Sequence, residues 1–117
     1  MITVIKSPFV QYKLTILRNK KTSNTVFRQT MNEISYLIAS DVLQYVPFKK
    51  QSIQTPLKKM SGTVLGQPII LVPILRAGLG LLEGFAKFLP EAEKGHIGLY
   101  RDEQTYEPVE YLFKLPN

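Results

Sequence analysis

Cysteine and tryptophan are absent from this chain, and histidine occurs once, as His96. Without cysteine there is no disulfide, no zinc-thiolate centre and no thiol nucleophile. A single histidine supports no histidine-based metal cluster, and no second residue stands at ligand spacing from it. His96 therefore reads as a structural histidine at a strand edge. Long hydrophobic runs are also lacking: the longest, around Pro68 to Leu75, is far too short to span a bilayer. The opening residues, MITVIKSPF, carry Lys6 and no apolar core, so no secretory leader is expected. No repeat and no low-complexity stretch is visible. The expectation is a soluble, cytoplasmic protein.

Acidic residues are scarce in the first half. Residues 1–60 hold ten Lys/Arg against Glu33 and Asp41, whereas residues 61–117 hold five Lys/Arg against seven acids. The net charge is +6. Such a basic half attracts nucleic acid or an anionic substrate, or is solvated surface. The lysines come as scattered pairs (Lys20-Lys21, Lys49-Lys50, Lys58-Lys59) with no interleaved aromatic platform, which favours solvated surface. What is plentiful is ordinary globular material: 44% of the 117 residues are hydrophobic and 21% charged, enough for one modest domain.

Helical spacing puts Val10, Leu14 and Leu17 on one face of residues 8–19, with Pro8 in the first turn. A longer amphipathic helix follows, capped by Thr22 or Ser23 and ending before Pro47, with Phe27, Met31, Ile34, Ile38 and Val42 as its apolar stripe. Residues 51–66 read as a hairpin turning near Lys58 to Gly62, its first arm pushed to an edge by Pro56. PIILVPIL, Pro68 to Leu75, has the continuous apolar character of a strand buried on both faces of a parallel sheet. A helix over GLLEGFAKFLP, a strand over Gly95 to Tyr100, a polar loop RDEQTYEPVE and a last alternating strand YLFKLP complete the chain. Strand, helix, strand is a βαβ unit, so the fold class is α/β.

The stretch VPILRAGLGLLEG carries the chemistry. A glycine turn at the carboxyl end of a parallel strand lets backbone N–H groups approach an anion, and the next helix adds its positive end. Arginine binds two phosphate oxygens at once and stays charged at any relevant pH. Arg76 with Gly78 and Gly80 thus makes a polyphosphate seat. A plainer reading has the glycines serving only tight helix–strand packing, with Arg76 solvated. A dinucleotide fingerprint is a third reading, with Asp102 as the ribose-binding acid, but Gly84 makes the motif G-x-G-x-x-x-G, one residue out of register. The acids Glu91, Glu93, Asp102, Glu103 and Glu107 read as loop residues, one of which could reach a Mg²⁺ held mainly by phosphates.

VPILRAGLG followed by GHIGLYRDEQTYEPVEYLFKLP closely resembles the uracil phosphoribosyltransferase family. SPFVQYKLTILRNK, TSNTVFRQTMNEIS and TPL at 55–57 match the same family in the same order, so the resemblance covers essentially the whole chain. It implies a partial type I phosphoribosyltransferase-like fold: a helical part over 1–47, a hairpin over 48–67, and the βαβ unit with the start of a β-arm over 68–117. It implies an enzyme of pyrimidine salvage that joins uracil to 5-phosphoribosyl diphosphate (PRPP) with Mg²⁺, giving UMP and pyrophosphate. By resemblance Arg76 is the pyrophosphate-binding arginine, Ala77 and Gly78 supply backbone contacts, and Arg101 is a second PRPP-contacting arginine on a mobile loop. Some relatives are activated by GTP, and the β-arm packs against a partner subunit, implying a homo-oligomer.

The family's sequences run on well past this length. No D-x-x-x-A-T-G-G, the motif that grips the ribose 5-phosphate, occurs here, and the uracil-reading segment is likewise missing. The resemblance therefore implies a chain that holds the pyrophosphate side and is inactive by itself. Its alternatives are a non-catalytic remnant serving binding or assembly, and a basic nucleic-acid-binding domain.

Overall fold

The computed structural model describes all residues, 1–117. Pro8 opens helix α1 (Pro8–Arg18), where its missing N–H costs nothing. Ser23 caps α2 (Asn24–Val42): its Oγ accepts from the Val26 N–H at 3.3 Å, a bond worth about 1 kcal/mol. One 3₁₀ turn, Leu43–Tyr45, finishes α2 before Pro47. The buried face of α2 is rotated from the expected stripe. Thr30, Ile34, Ser35 and Ala39 are buried, whereas Phe27 and Val42 stay exposed. Small residues win this face because another helix presses on it closely, as described below.

Lys13 of α1 reaches Glu33 of α2 as an ion pair, while Gln29 Nε2 donates to Glu33 Oε1 at 3.2 Å. The same ammonium lies 5.4 Å from the ring centres of Phe9 and Tyr12. The hydrogen bond from Lys13 is the main reason the Glu33 carboxyl sits below its ordinary value of 4.5; Gln29 adds to it, and partial desolvation opposes it. A depressed carboxyl contributes stability that is present above its unfolded pKa and is lost as pH falls through the folded one. We expect α1 to loosen from α2 below about pH 4.5, seen as faster amide exchange in α1 in acid, and Lys13→Ala to flatten that dependence.

Strands β1 (Phe48–Gln54) and β2 (Lys59–Leu65) form an antiparallel hairpin. Its turn lies at residues 55–58, not at Lys58 to Gly62 as the sequence suggested. Thr55 Oγ1 accepts from the Leu57 and Lys58 amides and donates to the Lys58 carbonyl, while the Thr55 N–H meets that carbonyl at 2.9 Å. Pro56 presets the first turn position and so belongs to the turn, not to the first arm. Gly62 is mid-strand, opposite Gln51, with the Ile53 side chain 3.3 Å from where its Cβ would be.

The apolar run becomes β3 (Ile70–Leu71) and β4 (Ile74–Leu75), interrupted at Val72-Pro73. Both pair in parallel with the returning segment: β3 with β5 (Glu93–Lys94), and β4 with β6 (His96–Arg101). The Gly95 N–H donates to the Leu71 carbonyl at 2.9 Å and the Ile97 N–H to the Pro73 carbonyl at 3.2 Å. These bonds stitch the pieces into one parallel pair. The run is not covered on both faces: Leu71 and Pro73 are buried, but Ile70 and Ile74 are half exposed, at 50% and 52%. Helix α3 (Leu79–Phe88) makes the crossover, and β7 (Pro108–Lys114) returns antiparallel to β6 with a bulge at Gly98/Leu99. This strand starts three residues earlier than the alternation suggested, because Pro108 already sits opposite Arg101.

Helix α3 lies on α2 through a close contact. The Gly84 N–H donates to the buried Ser35 Oγ at 2.8 Å, and a Cβ on Gly84 would fall 2.3 to 2.5 Å from Ser35 and Tyr36 backbone atoms. Tyr36 meets Phe88 edge to face at 5.9 Å. The architecture is α/β: two N-terminal helices, a peripheral hairpin and a βαβ unit with an added antiparallel strand. It buries little. Its surface is 9569 Å² against about 6,450 Å² for a compact monomer of this mass. The radius of gyration is 18.2 Å, where a compact chain of this length has about 13 Å.

Candidate active site

Parallel strands in an α/β sheet place ligand-binding loops beyond their carboxyl ends. Here Arg76 follows the last residue of β4, and Arg101 is the last residue of β6, the strand beside it. Leu75 is opposite Gly98, so β6 runs three residues further and lifts Arg101 about 10 Å above the β4 turn. Arg101 ends a strand and does not lie within the loop where the resemblance put it. Both arginines are exposed, and neither makes an ion pair or side-chain hydrogen bond. Their guanidinium forks are free to take an anion.

The turn after β4 is built by a chain of short-range bonds. The Gly78 N–H donates to the Ile74 carbonyl at 2.7 Å, Leu79 to Arg76 at 3.1 Å, Gly80 to Ala77 at 3.2 Å and Leu81 to Gly78 at 3.2 Å. The amides of Arg76 and Ala77 are left without partners in the chain. The peptide bond between Leu75 and Arg76 is cis. Backbone donors for an anion therefore come from Arg76 and Ala77, and the amide of Gly78 is already used.

The three glycines have different tasks, and none has a positive φ. A Cβ on Gly78 would fall 2.6 Å from the nitrogen and the carbonyl oxygen of Ile74, so glycine is what lets this turn close. Gly80 and Gly84 face α2 instead, toward Met31 and toward the Ser35–Tyr36 backbone. The packing reading is right for these two, and Gly80 is not part of the anion seat. The dinucleotide reading fails with it, since Gly84 is a helix–helix contact. Asp102 is committed too: its Oδ1 accepts from the Gln104 and Thr105 amides, both at 2.8 Å. Those backbone bonds, Thr105 first, hold the Asp102 carboxyl below its ordinary value of 3.8. Asp102 thus shapes the β6–β7 loop, in which Tyr106 has φ 59°.

No three His, Asp or Glu side chains converge anywhere in the chain. His96 lies half-buried in β6, opposite Lys114. No helix is long and apolar enough to cross a membrane. Sequence reasoning missed Ser35; the only available signal was a small polar residue beside the apolar stripe, one helix away from a glycine-punctuated helix.

The sequence model of the uracil phosphoribosyltransferase family matches residues 4–117. A protein of Lactiplantibacillus plantarum named uracil phosphoribosyltransferase is 48% identical over 97% of this chain and 55% of its own length. Another of that name from Streptococcus salivarius is 48% identical over 97% of this chain and 54% of its own. The solved structure of the AQ2163 protein from Aquifex aeolicus superposes with a TM-score of 0.90 at 31% identity, covering 99% of this chain and 56% of that one. The chain thus spans about half the length of the curated relatives it matches. A family match that takes in β4, its glycine turn and β6 without interruption leaves one conclusion: the chain belongs to the uracil phosphoribosyltransferase family.

Proposed function

We propose that this chain carries the diphosphate-binding side of a uracil phosphoribosyltransferase site, for the reaction of uracil with PRPP to UMP and pyrophosphate. The observation that carries this reading is the pair of unpartnered arginines at the carboxyl ends of adjacent parallel strands, with two free amides in the turn that follows the first strand. In the reaction the bond from ribose C1 to the diphosphate oxygen breaks, a bond from C1 to a uracil nitrogen forms, and that nitrogen loses its proton. Negative charge grows on the departing diphosphate, so donors fixed around it lower the barrier. Arg76 takes two of its oxygens, the Arg76 and Ala77 amides take others, Gly78 keeps the turn tight beneath them, and Arg101 closes from the neighbouring strand.

Mg²⁺ belongs to this reading as the companion of the diphosphate oxygens. No three carboxylates of the chain converge on it, and the Oδ1 of Asp102, the carboxylate nearest Arg101 in sequence, is already taken by its own turn. The nucleic-acid reading gains nothing from the hairpin, because successive residues such as Lys49 and Lys50 point to opposite faces of a strand and form no single basic face.

Conversion of labelled uracil to UMP with PRPP and Mg²⁺ tests the proposal. The 117-residue chain is expected to bind PRPP but turn over no uracil, having no groups for the ribose phosphate and the base. Turnover by the chain alone that Arg76→Ala removes would mean that these residues suffice for the whole reaction.

A further inference from the structure

Arg101 stands at the end of β6 with little of the strand ladder to hold it. Its partner across the antiparallel pair is Pro108, which has no N–H to give. On the other side β4 has already ended at Leu75, opposite Gly98, so no strand pairs with Arg101 there. What closes the chain above it is the loop of residues 102–107, and Asp102 is the centre of that loop. Its N–H donates to the Glu107 carbonyl and its carbonyl accepts from the Tyr106 N–H, both at 2.9 Å. Its Oδ1 accepts from the Gln104 and Thr105 amides, both at 2.8 Å. A fifth bond, from the Glu107 N–H to Thr105 Oγ1 at 3.3 Å, ties the far side. The carboxylates of Glu103 and Glu107 take no part. The loop also carries a strain: Tyr106 has φ 59°, a left-handed conformation that a side chain of this bulk rarely adopts. Two charge-assisted bonds to one carboxylate offset it and fix residues 102–105 as a turn.

We infer that Asp102 is the positioning residue for Arg101: by pinning the β6–β7 loop it holds the end of β6, so that the guanidinium is launched from a fixed base across the step of about 10 Å to the β4 turn. The inference rests on the diphosphate reading for what the guanidinium meets, and not for how it is held. A long side chain on a mobile strand end has to be ordered when the anion arrives, and that ordering weakens binding. On a pinned loop, the backbone part of the ordering is complete beforehand. Asp102 acts through Arg101 and touches no ligand itself. This separates it from a carboxylate that holds Mg²⁺ or a ribose hydroxyl directly, because the two roles respond differently to asparagine. An amide oxygen accepts the Gln104 and Thr105 bonds as a carboxylate oxygen does, but it lacks the charge that a cation requires.

The test is calorimetric titration of pyrophosphate with Mg²⁺ into the 117-residue chain, beside amide hydrogen exchange of the chain without ligand. Asp102→Ala is expected to weaken binding about tenfold, the scale of ordering one long side chain. It is also expected to speed exchange at the Asp102 and Tyr106 amides by about tenfold, while the unfolding midpoint stays in place. Asp102→Asn is expected to restore both binding and slow exchange. In an Arg101→Ala background, Asp102→Ala is expected to weaken binding no further, since its effect passes through the arginine. Three results overturn the inference: unchanged exchange in Asp102→Ala, binding as weak in Asp102→Asn as in Asp102→Ala, or the same loss persisting without Arg101. The second would make the carboxylate a direct ligand. Exchange that Asp102→Ala speeds and Asp102→Asn restores, in a chain that binds no pyrophosphate, upholds the hold of Asp102 on Arg101 and sinks the diphosphate site instead.

Discussion

Gly84→Ala separates α3 from α2 and costs at least about 3 kcal/mol, the upper range for forcing one methyl into a packed interior. On an exposed helix the same change stabilises by about 1 kcal/mol, because alanine is the better helix former. The sign of the effect therefore reports the contact. The added Cβ would lie 2.3 Å from the Ser35 carbonyl carbon and 2.4 Å from the Tyr36 nitrogen, and backbone atoms inside a helix have no rotamer in which to retreat. Opening the helices also breaks the Gly84 to Ser35 hydrogen bond. Ser35→Ala removes that acceptor together with the bond its hydroxyl donates to the Asn32 carbonyl at 2.6 Å, a loss of about 1–3 kcal/mol. Urea unfolding followed by far-ultraviolet circular dichroism measures both. An unchanged midpoint for Gly84→Ala would show that α2 and α3 do not approach as described.

Arg76→Ala is expected to remove diphosphate binding without touching the fold. The side chain is exposed and makes no bond within the chain, so unfolding is expected at the wild-type midpoint. The anion loses a two-pronged contact, each charge-assisted bond contributing about 1.5–3 kcal/mol, so PRPP affinity falls by about two to four orders of magnitude. Lysine at this position keeps the charge but loses the planar fork, and it restores little of the affinity. Calorimetric titration of PRPP with Mg²⁺ checks all three forms. Equal affinities for wild type and Arg76→Ala would remove the arginine from the site.

Local signals in the sequence were read well where one residue governs one bond. Ser23 as a cap, Pro8 in the first turn and the parallel crossover over residues 68–101 all follow from chemistry visible in the chain. Reading failed where the determinant lies far away in sequence. Ser35 is buried because α3 brings a glycine onto it 49 residues later, and apolar spacing on α2 cannot register that. The hairpin turn has a local cause: Thr55 and Pro56 together make it, and Gly62, a residue that favours turns, lies mid-strand instead. The apolar run at Pro68 to Leu75 reads correctly as a parallel strand, but its continuous apolar character does not reveal that Ile70, Val72 and Ile74 stay exposed. At the site, the arginine and its strand were legible from VPILRAG, while the division of labour among three glycines required coordinates.

The most direct test of the central claim follows backbone amide resonances while pyrophosphate with Mg²⁺ is added to the 117-residue chain. The expected result is saturable shifts at the Arg76 and Ala77 amides and at the Arg101 guanidinium, with the amides of Gly78, Gly80 and Leu81 moving least because they are already bonded. Shifts confined to Lys49, Lys50, Lys58 and Lys59, fading with added salt, would mean that the anion meets only basic surface, and would contradict the account.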